Sequence, residues 1–254
     1  MTPADGRKRD PRPFLTTRWE SLVFLNFECP RSLLDPLVPA GTTLDPWNGT
    51  PQVSLVGLMF RDTRVRGIPV PRHRTFEEVN LRFYVRRPSA EGGARRGVVF
   101  IRELVPRSLI AAVARALYNE PYLALRMGHK ITLDSASGGG AEYFWWRDGV
   151  RSSVSASAAG PATRSSPGSE AEFLTEHYWG YTRQRDGTTL EYRVEHPRWR
   201  VWPARSANYE ARSSRLFGVE FGEVLAKRPG SAYIAVGSPV SVFPGGRLVA
   251  EEGS

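Results

Sequence analysis

The chain contains a single cysteine, Cys29. An intramolecular disulfide and a zinc site built from several thiolates are therefore both excluded. Lysine is nearly as scarce: Lys8, Lys130 and Lys227 are the only ones among 35 basic residues. Chemistry that needs an amine nucleophile has few places to find one. No run approaches the ~18 consecutive apolar residues of a membrane-spanning helix. The opening MTPADGRKRDPRP is charged and proline-rich, without the apolar core of a signal peptide, so a cytoplasmic protein off the membrane is expected. Phosphate cradles of the form G-x-x-x-x-G-K-[ST] and a G-x-S-x-G nucleophile elbow are missing. His73, His129, His177 and His196 show neither H-x-H nor H-E-x-x-H spacing. These spacings call for no metal and no cofactor, although ligands distant in sequence can converge in a fold.

What is present is a net charge of +9, carried almost wholly by arginine. The scarcity of lysine beside abundant Ala, Gly and Pro has the look of base-composition bias in the coding DNA. The arginines are interspersed with carboxylates, as in YTRQRDGTTLEYRVEHPRWR, which argues against a dedicated nucleic-acid surface. With 41% hydrophobic and 11% aromatic residues, the chain can bury a substantial core. Trp145-Trp146 and the Trp199/Trp202 pair read as core or pocket walls rather than base-stacking platforms.

Along the chain, residues 1–13 read as a mobile tail and 14–248 as one domain. Strands are expected at 18–28 and 52–60, the second after an Asn48-Gly49 turn. A short helical turn lies between Pro30 and Pro39, and two further strands meet around Gly92-Gly93. SLIAAVARALY (108–118), with Ser108 as N-cap, is the best helix. More strands follow near 142–147, 178–183 and 188–194, with a helical turn starting AEFLTEHY. LFGVEFGEVLA is ambiguous, and 231–243 reads as a final strand pair. The small, polar stretch 152–169 is taken as a flexible excursion. Many short strands and few helices predict a mostly antiparallel β (α+β) architecture, barrel-like or sandwich-like.

TFEEVNLRFYVRR alternates cleanly. Val79, Leu81, Phe83 and Val85 share one face of a strand; Glu78, Asn80, Arg82 and Tyr84 share the other. The plain reading of the polar face is the solvent side of a sheet. The sharper one is a barrel interior, where carboxylate, amide, guanidinium and phenol converge on a polar ligand.

Several segments together resemble a known family: RWESLVFLNFECPRSLLDPLVPAGTTLDPWNGTPQVSLVGLMFRDTR, FEEVNLRFYVRR, RGVVFIREL, ALYNEPYLALRM and FLTEHY. Over roughly residues 14 to 245 they are similar to the uncharacterised YqjF-like family of bacterial proteins, which resembles acetoacetate decarboxylase in fold. The resemblance implies a mostly antiparallel β-barrel or cone with an interior site. In acetoacetate decarboxylases an arginine, five residues and a proline precede the Schiff-base lysine. Arg115 and Pro121 keep that spacing, and Tyr122 stands at the lysine's place. By the same resemblance Glu78 matches a decarboxylase carboxylate and Arg18 an arginine opening the first strand. A second carboxylate is replaced by Val56.

The resemblance thus implies a pocket for a small anionic or carbonyl-bearing molecule. Arg18, Arg82, Asn80, Tyr84 and Arg115 would bind it, and Glu78 and Tyr122 would supply acid–base chemistry independent of lysine. A phenol titrates at about pH 10, so Tyr122 is expected to be a neutral donor. Decarboxylases assemble into oligomers, which implies a homo-oligomer of unspecified number. Three readings stay open: an enzyme, a binding protein without turnover, and a basic surface for an acidic partner. A fourth possibility for the residues themselves is that Glu78 and Tyr122 merely satisfy each other in a packed interior.

Overall fold

The computed structural model describes residues 12–69, 74–89, 92–106, 121–210 and 216–248. In chain order its strands are β1 (Leu15–Glu28), β2 (Thr43–Leu44), β3 (Gln52–Val65), β4 (Ile68–Pro69), β5 (Phe76–Pro88) and β6 (Ala94–Val105). They continue with β7 (Tyr122–Ala124), β8 (Arg126–Ile131), β9 (Gly138–Arg147), β10 (Val150–Ala159), β11 (Thr163–Arg164) and β12 (Trp179–Arg183). The last are β13 (Thr189–Glu195), β14 (Arg200–Pro203), β15 (Ser206–Glu210), β16 (Ser231–Val242) and β17 (Gly246–Leu248). Short helices lie at Arg31–Leu34, Glu170–Thr175 and Val219–Leu225. The expected helix 108–118 and most of the expected tail lie outside the described residues.

The large sheet closes on itself. Its strands run β16-β1-β3-β5-β6-β12-β13, and β13 pairs back onto β16 at Val194↔Val242 and Glu195↔Ser241. All of these pairings are antiparallel except β6 with β12. The expected mostly antiparallel barrel or cone is what forms. A second sheet, ordered β15-β10-β9-β8, packs against its outer face. There Val23, Leu25, Val53, Leu55, Val79, Leu81 and Phe83 meet Tyr143, Trp145 and Val154 in one buried cluster. Each such side chain contributes roughly 1.5–3 kcal/mol by leaving water. Because both faces of β3 are covered, it reads as a nearly unbroken apolar run, QVSLVGLMF, rather than an alternating one.

Two local devices set the geometry. At Gly57 of β3 an added Cβ would sit 2.4 Å from the Tyr143 ring, so the bare backbone is the seat for that ring. In β1 a bulge at Ser21, in the left-handed region at φ 55°, shifts the register between Glu20 and Val23. The bulge carbonyl accepts the Tyr143 hydroxyl at 2.8 Å. It also changes the strand's parity, so that Trp19 before it and Leu22 and Phe24 after it join the inner cluster.

Two expectations are corrected and one open reading is settled. The stretch 152–169 is not a flexible excursion: Val150–Ala159 is a regular strand paired with both β9 and β15. Ser152, Val154, Ala156 and Ala158 are buried on its inner face, small because the neighbouring Tyr143 and Trp145 fill the space. The expected pair at 231–243 is one long strand, Ser231–Val242, in which Gly237 (φ 88°) passes the Trp19 carbonyl without a turn. The ambiguous LFGVEFGEVLA is a helix from Val219, burying Phe221, Val224 and Leu225. The turns behave as read: Asn48 and Gly49 both have positive φ, as a tight hairpin needs.

Candidate functional site

The polar side of β5 faces inward, not to solvent. Glu78 is 3% exposed, Asn80 and Tyr84 are equally buried, and Arg82 is partly so. In register, Asn80 lies between Val56 on β3 and Glu103 on β6, and Glu103 in turn lies beside Tyr122 on β7. Asn80 Nδ2 donates to Glu78 Oε1 at 2.9 Å, and the Tyr122 hydroxyl donates to Oε2 at 3.4 Å. Five sequence-predicted residues, Glu78, Asn80, Arg82, Tyr84 and Tyr122, therefore share one inner surface.

Burial pushes the Glu78 carboxyl up to about 7, against the lowering pull of its bonds from Asn80 and Tyr122 and the charge of Arg82. Glu78 can thus hold or release a proton near neutrality. Arg82 lies with its guanidinium carbon 5.2 Å from the Phe24 ring centroid and 5.9 Å from that of Tyr84. Its Nε is buried without a hydrogen-bond partner, and no ion pair to a carboxylate forms among the described residues. Asn80 Oδ1 is likewise a buried acceptor without a donor.

Tyr84 has a different role. Ser54 Oγ donates to Asn26 Oδ1 at 2.6 Å, so the Tyr84 hydroxyl, 2.6 Å from the same Oγ, must be the donor to it. Asn26 Nδ2 passes the chain on to Ser231 Oγ at 3.0 Å. This network ties β5, β3, β1 and β16 together and commits the phenol to structure.

Arg18 is not brought to the site. The parity before the Ser21 bulge turns it outward, 47% exposed, where Nε pairs with Glu20 Oε1 at 3.1 Å; Arg61 shares the same carboxylate. Arg115 lies outside the described residues. Lys130 and Lys227 are exposed, Lys130 on β8 of the second sheet. Among the described residues no group of three or more His, Cys, Asp or Glu side chains is placed to hold a metal. No helix there is long and apolar enough to cross a membrane.

Sequence reasoning missed several inner residues. Glu103 is a second buried carboxylate on this face, two strands over from the position where Val56 lacks one. Its signal was its parity in RRGVVFIREL, obscured by the register shift between Leu81 and Arg82. Asp45, His177, Glu170 and His196 come from loops and the helix that close over the ring. Glu170 accepts Gln52 Nε2 at 3.1 Å and the Tyr233 hydroxyl at 3.2 Å. His196 stacks on Trp199 at 4.1 Å and is pulled down to about 4 by burial, with Arg82 adding to the effect.

A family model of uncharacterized conserved proteins, DUF2071, matches residues 16–238. The chain belongs to the DUF2071 family. The chain is also similar to the uncharacterized protein YqjF of Bacillus subtilis (strain 168), 28% identical over 196 residues that cover 76% of this chain and 75% of YqjF. The YqjF-like resemblance read from the sequence is therefore sound. Among solved structures, acetoacetate decarboxylase from Legionella pneumophila superimposes with a TM-score of 0.65 at 13% identity, covering 98% of this chain and 92% of the decarboxylase. The enduracididine biosynthesis enzyme MppR gives 0.66 at 11% identity, covering 99% and 100%. An acetoacetate decarboxylase-like enzyme from Sphingomonas wittichii RW1 gives 0.61 at 12%, covering 98% of each. At these identities the likeness shows that this DUF2071 chain has the acetoacetate decarboxylase-like fold.

Proposed function

We propose that the inner face of the ring binds a small organic anion bearing a carboxylate or carbonyl group, with Glu78 moving a proton in chemistry that uses no lysine. Arg82 carries this reading. A buried guanidinium donor without a partner costs the protein free energy that a bound anion returns through charge-assisted hydrogen bonds. Glu78, on whose carboxyl the Arg82 charge acts, is already held by Asn80 and Tyr122 and titrates near neutrality, which suits an acid–base group better than a counter-ion. By family resemblance Tyr122 stands where the decarboxylases place their imine-forming lysine, and a phenol forms no imine. The exposed Lys130 and Lys227 do not replace it. The fold neighbour MppR has been solved in complex with pyruvate, a ligand of the proposed class.

Calorimetric titration of the purified protein with pyruvate and acetoacetate, each beside its neutral amide, tests the assignment. The acids should bind in preference to the amides, and Arg82→Met should weaken acid binding by about tenfold or more. Equal affinity for acid and amide, or indifference to Arg82→Met, would sink the reading. Proton NMR of the same acids left with the protein reports whether binding leads to turnover.

A further inference from the structure

A second buried polar group stands at one end of the inner face. β2 pairs with β5 at Leu44↔Val85, and the next residue, Asp45, donates its backbone N–H to the Tyr84 carbonyl at 3.0 Å. Asp45 Oδ2 accepts Arg96 Nε at 2.6 Å. His177, just beyond the helix Glu170–Thr175, places Nε2 3.4 Å from the same oxygen. Its ring lies 4.7 Å from that of Tyr84 and 5.1 Å from that of Phe173, and its side chain is only 2% exposed.

The tautomer follows from the partners. Burial works to raise the Asp45 pKa, but the hydrogen bonds from His177 and Arg96 outweigh it and hold the carboxyl below its ordinary value. An ionised carboxylate only accepts, so Nε2 carries the ring hydrogen and Nδ1 is a bare lone pair. That Nδ1 is buried and has no hydrogen-bond partner among the described residues. A phenylalanine would fill the same aromatic niche without burying a polar nitrogen, so packing alone does not account for an imidazole.

We propose that His177 Nδ1 is a hydrogen-bond acceptor for the ligand of the inner site, so that the ligand carries a hydroxyl, enol or N–H donor as well as its anionic group. This rests on the assignment of Arg82 as the anion partner. His177 and the Arg82 guanidinium both lie against the Tyr84 ring, so a short-chain molecule can meet both. Asp45, pinned by Arg96, fixes the imidazole's orientation and keeps its free nitrogen an acceptor. The class so defined is hydroxy-carboxylates and enolisable oxo-carboxylates.

The test uses lactate and propionate, which differ by one hydroxyl. In protein labelled with nitrogen-15 histidine, His177 should show the Nε2–H tautomer, and lactate but not propionate should shift Nδ1. Lactate should bind about tenfold tighter than propionate, as one buried hydrogen bond permits. His177→Phe should erase that preference and leave propionate binding unchanged. A hydrogen on Nδ1, or a lactate preference that survives His177→Phe, overturns the proposal. If propionate binding depends on Arg82 while lactate gains nothing, the His177 role alone falls. If neither acid binds in an Arg82-dependent way, the anion site falls with it.

Discussion

Tyr122 and Glu78 meet across the width of a strand: β6 lies between β7 and β5, yet the phenol donates to Glu78 Oε2 at 3.4 Å. A bond at that length is near the limit of useful geometry, so its net contribution to stability is small. Tyr122→Phe should therefore cost about 1 kcal/mol or less. It should also raise the Glu78 pKa further above about 7, because the phenol is one of the groups holding it down. A carbon-13 titration of the Glu78 carboxyl checks this; an unchanged or lower midpoint would mean that the contact does not form.

The inner groups give stability a composite pH dependence. Glu78 is raised from 4.5 to about 7, so the folded state binds more protons than the unfolded one across that window. Its contribution is fully present below pH 4.5 and is lost as pH rises through about 7. His177 is lowered from 6.5 to about 4 by burial and the charges of Arg96 and Arg82, so its contribution runs the other way. It is present above pH 6.5 and lost as pH falls through about 4. The two slopes oppose each other between pH 4.5 and 6.5. Glu78→Gln should leave a steeper rise of stability with pH over this range, by up to about 3 kcal/mol. Denaturant unfolding at pH 5 and pH 7 measures it, and a parallel shift at both values would contradict the assignment.

Imine chemistry should be absent. Borohydride added with acetoacetate should leave the protein mass unchanged, because Tyr122 offers no amine and Lys130 and Lys227 are exposed. A reduced adduct mapped to either lysine would overturn the lysine-independent reading.

At the outer face, Gly57→Ala should destabilise the fold by roughly 1–3 kcal/mol, because its Cβ would press into the Tyr143 ring. Combining it with Tyr143→Ala should give less than the sum of the two losses, as expected for groups in direct contact. Strict additivity in a double-mutant cycle would show that the two sheets do not meet at this point.

The strand after Asn48-Gly49, the strands on either side of Gly92-Gly93, and the division of β5 into an apolar and a polar face were legible in the sequence because they depend on residues two to four apart. The grouping of Glu78, Asn80, Arg82 and Tyr84 follows from the same alternation. What that polar face meets depended on the pairing of β13 with β16, between residues more than forty positions apart, which closes the sheet and turns the face inward. The same long-range packing made a strand of the Ser/Ala stretch in β10, whose small side chains look like a linker until Tyr143 and Trp145 stand beside them. A one-residue bulge at Ser21 sent Arg18 outward, a change of parity that alternation read from one strand does not reveal. The Asp45–His177 pair joins residues 132 positions apart in the chain. Local periodicity decides which side chains share a face; only closure of the ring and burial decide which of them lose water and shift their pKa values.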